Sequence, residues 1–180
     1  MNKEVKNWEI VGIVFISILG GFFHFLFALS NYNLIIAGFA AVNESVWEHL
    51  KLPFFPLLIY SAIEYFYIKE KANNFIIGKA VAGYVMPSVI VAIFYTYTSI
   101  LGTHLLIIDM LSFFIAVVIG QLLSLKILLS AEFSRRYMIL SWIALIFLAF
   151  IFVLFTFFPP EFPIFRDSTN GQYGIVKNNQ

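Results

Sequence analysis

The sequence predicts an all-α integral membrane protein: a helical bundle of about five transmembrane helices, amino terminus inside and carboxyl terminus outside. Three observations predict it. Of 180 residues, 61% are hydrophobic and only 12% charged, far from the balance of a water-soluble domain. Apolar runs close to the ~20 residues that cross a hydrocarbon core recur along the chain, joined by short connections. Lysines and arginines, finally, are concentrated in alternate connections.

The first run covers residues 8–29. Lys3 and Lys6 precede it as in a signal peptide, but it is about twice the usual length and contains His24, so it reads as a retained span. The second, 52–68, contains Pro53 and Pro56, which should kink it, and Glu64, which can snorkel or take tyrosine hydroxyl partners near the cytoplasmic end. The third, 75–98, contains Pro87; the fourth is 105–129 and the fifth 137–158. Lys3, Lys6, Lys69, Lys71, Lys79, Lys126, Arg135 and Arg136 fall on one side of this arrangement and Lys51 alone on the other, which sets the orientation. Residues 1–158 thus form a single bundle with an outer polar loop at 30–51, and 159–180 an extracytoplasmic tail. That tail is too rich in aromatics and prolines for a disordered segment. It is expected to fold back over the outer face, with Arg166 and Asp167 near the polar loop and Arg166 reaching a carboxylate of the 43–49 segment.

Composition also excludes classes. A net charge of +1 gives no electrostatic reason for nucleic-acid binding. The absence of cysteine removes disulfides, thiol nucleophiles and thiolate metal sites. No H-E-x-x-H, nucleophile elbow or phosphate loop is present.

What chemistry there is converges on the outer side. The stretch VNESVWEHLKL, 42–52, is unusually polar for this chain. His24 lies about 8 Å below the outer boundary, and His104 and Asp109 open the fourth span from that side, so all three histidines share one face. Ser17, Gly21, His24 and Ala28 form a small-residue stripe, as do Asp109, Ser112, Ala116, Gly120 and Ser124, which should turn His24 and Asp109 into the bundle. His104 is about 140° from Asp109 in helical phase and reaches the same pocket only from a frayed end or loop. The candidate catalytic residues are therefore His24, Glu44, Glu48, His49 and Asp109. The candidate metal ligands are His24, Glu48, His49 and His104, whose nitrogen and oxygen donors suit zinc or another divalent metal.

A purely structural alternative exists for part of this set. Ser45 and Glu48 have capping-box spacing, Glu48 can pair with Lys51, and Trp47 can anchor at an interface. That reading leaves Asn43, Glu44 and His49 without a role. For His24 and Asp109 the structural alternative is a hydrogen bond between helices.

VNESVWEHLKLPFFP at 42–56, FYTYTSILG at 94–102 and FFPPEFPIFRDSTNGQYG at 157–174 resemble a group of small polytopic bacterial membrane proteins, chiefly of Firmicutes, that form a domain of unknown function. The resemblance implies a multi-pass protein of the bacterial cell membrane and carries no substrate, cofactor or catalytic residue with it. A fainter likeness is to metal-dependent membrane hydrolases of the alkaline ceramidase kind, which use histidines, a serine and an aspartate within a helical bundle. Their paired histidines in a late span have no counterpart here, because the fifth run has none.

Three functions fit these residues: a metal-assisted hydrolase or transferase acting on a lipid or lipid-linked group, a non-catalytic accessory or sensor subunit, and a small proton- or metal-ion-coupled transporter. The bilayer is the partner common to all three. Transport would need a polar track to the cytoplasm, for which the stripe below Asp109 offers only Ser112, Gln121 and Ser124.

Overall fold

Each helix has a local reason to begin or end where it does. In the computed structural model, which describes residues 2–175, α1 (Lys3–Leu29) starts where Asn2 accepts the Glu4 N–H at 3.1 Å, a side-chain cap. The chain then reverses through Asn31 and Tyr32, both at positive φ, into the single turn α2 (Leu34–Ala37), capped by Asn33. α3 (Val46–Ile68) is capped by Ser45, and α4 (Phe75–Leu101) ends on Gly102 at φ 73°, a left-handed stop that glycine adopts without strain. α5 (Leu106–Leu128) and α6 (Arg135–Phe157) follow, then a 3-10 turn at Pro163–Phe165 and an isolated antiparallel bridge between Arg166 and Tyr173. Met1 and the last five positions of the expected tail, 176–180, lie outside the described residues.

α1, α3, α4 and α5 close into a ring in which each packs on the next, and α6 lies outside it against α4 and α3. Glycines set two of the closest approaches. A Cβ on Gly20 would lie 2.6 Å from the Leu52 carbonyl oxygen, and one on Gly12 would meet Gln121 and Tyr60, so α1 can seat against α3 and α5 only with glycine there. Ile16, Leu57, Met86, Ala116 and Val117 fill the middle of the ring.

Four helices, α1, α4, α5 and α6, are long and apolar enough to cross a membrane. α3 is not among them, although a fifth span was expected there. Glu48, Lys51, Glu64, two prolines and three tyrosines lower its hydropathy, and most of its length is buried against neighbouring helices. It also starts six residues before the expected boundary at Leu52, because Ser45 caps the polar segment into helix. Pro53, Pro56 and Pro87 all lie inside continuous helices.

The polarity of the bundle is inverted relative to a water-soluble one. Glu9, Glu48, Lys51, Glu64 and Lys79 are each at most 2% exposed, whereas Ile18, Phe25, Ile35, Leu106, Ile107, Ile146 and Phe150 face outward. Two expectations change here. Glu64 does not snorkel but pairs with Lys79 inside the ring, and Lys79, expected at a connection, is buried in α4.

Candidate functional site

At one end of the ring, α1, the loop before α3 and the first turn of α3 bring His24, Glu44 and His49 together. His24 Nε2 lies 3.2 Å from His49 Nε2, and Glu44 Oε2 lies 3.6 and 3.4 Å from those two nitrogens. The imidazole centroids are 5.1 Å apart, well inside the ~10 Å that a shared ion allows. Glu44 is exposed and the two histidines are half-buried. Among the described residues this is the one group of three side chains able to converge on a cation.

The local chain explains the geometry. His49 is one turn into α3, and its Nδ1 lies 2.7 Å from the carbonyl oxygen of Ser45. A carbonyl only accepts, so Nδ1 carries the proton and donates it; in the neutral ring Nε2 is then left with a free lone pair aimed at Glu44. A histidine oriented in this way by a second hydrogen bond is a prepared metal ligand.

The loop carrying Glu44 is fixed from the tail. Glu44 N–H donates to Asp167 Oδ2 at 3.3 Å, and Ser168 returns its hydroxyl to the Glu44 carbonyl at 3.0 Å. Asn43 Nδ2 donates to the Gly174 carbonyl at 2.9 Å. Burial pushes the Asp167 carboxyl up, but hydrogen bonds from Thr169, Glu44 and Asn170 outweigh it and hold the group below its ordinary value.

The electrostatics ask for a positive charge. The His24 imidazole first, then that of His49, holds the nearby Glu44 carboxyl well below the usual carboxylate range, with burial opposing. Burial pushes the His49 imidazole down, but Glu44 and the Ser45 carbonyl outweigh it and hold it above its ordinary value, so the space between an ionised Glu44 and His49 Nε2 attracts positive charge. A proton or a cation is needed to complete the arrangement. Ligands of a tetrahedral ion bound at about 2.0–2.1 Å stand about 3.3–3.4 Å apart, close to the three separations here.

Beside this cluster opens a cavity of about 340 Å³ whose walls include Leu52, Ile90, Phe94, Met110, Phe113 and Phe114. Across it lies a second polar group. His104 Nδ1 is 3.4 Å from Asp109 Oδ2, the Tyr97 hydroxyl donates to Asp109 Oδ1, and Leu105 N–H donates to the Tyr97 oxygen at 3.1 Å. His104 meets Asp109 because it sits in the loop before α5, the placement that its helical phase required.

Of the candidate residues, the structure brings His24, Glu44, His49, His104 and Asp109 to one cavity, with His104 on Asp109 rather than among the three converging ligands. Glu48 stands apart from all of them. It points to the other side of α3, where Oε2 pairs with Lys51 Nζ at 2.6 Å and accepts the Val42 N–H at 3.1 Å while Oε1 accepts from Thr156, so neither oxygen faces the histidines. Arg166 is the other correction: its Nε donates to the Gly171 carbonyl at 3.1 Å, and the tail reaches the loop through Asp167 and Ser168 instead. The role of Ser168, which also lines the cavity, carried no signal in sequence.

No curated protein and no solved structure matches this chain. One family model does, over residues 1–175, nearly the full length. The chain therefore belongs to the DUF6512 family, a family of unknown function.

Proposed function

We propose that this is a multi-pass protein of a bacterial cell membrane in which His24, Glu44 and His49 hold a divalent cation of the zinc class, and that the ion activates water against a lipid or lipid-linked substrate. The observation that carries the reading is the convergence of two imidazole nitrogens and one carboxylate oxygen, 3.2 to 3.6 Å apart, at an apolar cavity. Two histidines and a glutamate with a fourth position left for water is a ligand set of catalytic zinc sites. Bound there, the metal lowers the pKa of its water and polarises the oxygen of an acyl or phosphoryl group. Asp109, held by Tyr97 and His104, is the base that takes the water proton, and the apolar wall accommodates the chain of the substrate. Ion transport fits less well, because Ile16, Leu57, Met86, Ala116 and Val117 pack the ring below the cavity.

Elemental analysis of the purified protein tests the metal: about one divalent ion per chain is expected. His24→Ala, His49→Ala and Glu44→Ala should each lose it while Glu161→Ala keeps it. Wild-type protein that stays metal-free after equilibration with zinc or cobalt would end the proposal. Orientation is tested by cysteine labelling, the chain having no cysteine of its own. In intact cells Glu161→Cys should react with an impermeant thiol reagent and Glu132→Cys should not; the reverse pattern would place the cavity on the cytoplasmic side.

A further inference from the structure

At the other end of the ring lies a polar centre that the cavity does not use. Glu9 precedes His24 on α1 by about 22 Å of helix. Lys79 Nζ is 2.8 Å from Glu9 Oε1 and 2.5 Å from Glu64 Oε2, and all three side chains are at most 2% exposed. Ser124 Oγ donates to Glu9 Oε1 at 2.7 Å, and Gln121 Nε2 donates to the Glu9 carbonyl at 3.2 Å. The titratable groups here are Glu9 from α1, Glu64 and Tyr60 from α3, and Lys79 from α4; α5 contributes the neutral Gln121 and Ser124. The Tyr60 hydroxyl is committed to the Trp8 carbonyl.

Two carboxylates face one ammonium, so the fully ionised centre is singly negative in a sealed interior. The hydrogen-bond count shows the same deficit independently: Glu9 Oε2, both Glu64 oxygens and Gln121 Oε1 are buried acceptors without a hydrogen bond, Lys79 facing Glu64 Oε2 as an ion pair only. Uncompensated buried charge is strongly unfavourable, and a proton on one carboxyl both cancels it and supplies a missing donor. We propose that this centre is a proton-binding site, in which Glu9 and Glu64 share one exchangeable proton at neutral pH beside the Lys79 ammonium. Loading and release switch the interior between neutral and singly negative, a capacity separate from the cation cluster.

Infrared spectroscopy of the full chain in lipid, in H₂O and D₂O, reads this directly. The wild type should show a protonated-carboxyl band at neutral pH that shifts in D₂O. Glu9→Gln and Glu64→Gln should each abolish it, because one remaining carboxylate is neutralised by Lys79. Lys79→Gln should raise it about twofold, both carboxyls then requiring a proton. Absence of the band in the wild type, or its persistence in both glutamine variants, would overturn the proposal. So would its disappearance on adding sodium to a sodium-free sample, which would make the occupant a metal cation. Should a variant fail to fold, the wild-type band and its response to D₂O and sodium decide alone.

Discussion

Lys51 and His49 lie within one turn of each other on α3, and their surroundings differ in a way that separates structural from chemical polarity. Lys51 is fully buried, and its three donors are all used: on Glu48 at 2.6 Å, on the Thr156 hydroxyl at 2.8 Å and on the Ala37 carbonyl at 2.9 Å. Glu48 is completed by Thr156 and the Val42 N–H. The pair is neutral and closed, and it ties α2, α3 and α6 together. On the other side of the helix, His24, Glu44 and His49 crowd acceptors around one point, half-open to a cavity, and lack the charge that would complete them. Both groups combine glutamate with nitrogen bases. What distinguishes them is whether the chain itself supplies the counter-charge and a donor to each oxygen.

The largest effect should come from opening the closed half. Lys51→Met leaves the Glu48 carboxyl buried without its counter-charge, and removing one partner of a buried pair costs about 3–5 kcal/mol. Chemical denaturation in detergent should show a loss of that order, and the double substitution Glu48→Leu with Lys51→Met should recover much of it. A stable Lys51→Met protein that no longer binds metal would break the comparison, because the lysine would then serve the site rather than the fold.

The same contrast explains what could be read from the sequence. Most helix ends were legible because period and hydropathy are properties of contiguous residues, although α1 starts at Lys3, ahead of the expected Trp8. The start of α3 was not, since hydropathy scores Glu48 and Lys51 as if each met solvent alone, whereas they meet each other. The stripe through His24 was nearly right in phase. Gly12, Ile16, Gly20, Phe23 and Phe27 make the packed face of α1; of the expected stripe Ser17, Gly21 and His24 border the cavity, whereas Ala28 is exposed. Glu9 and Lys79 went unread as partners because they lie on different helices and Lys79 looked like a basic connection. The return of the tail and the approach of Asp167 to the loop could be anticipated, but not the course of Arg166, whose Nε turns back to its own Gly171 while Asp167 and Ser168 meet the loop.

The smallest expected effect sharpens the comparison most, because it falls between the two halves. Ser45 caps α3 through its side chain, accepting the Glu48 N–H at 3.4 Å, a long contact at the weak end of such bonds. It orients His49 through its backbone carbonyl, which accepts from Nδ1 at 2.7 Å. Ser45→Ala removes the first and keeps the second. The loss of stability should therefore be near the low end for a helix cap, about 0.5–1 kcal/mol, with metal content unchanged. Glu48 keeps its other partners and need not move. If Ser45→Ala instead lowers metal occupancy while barely changing stability, the cap is what holds His49 in register, and the division into a closed structural half and an open chemical half fails at that residue.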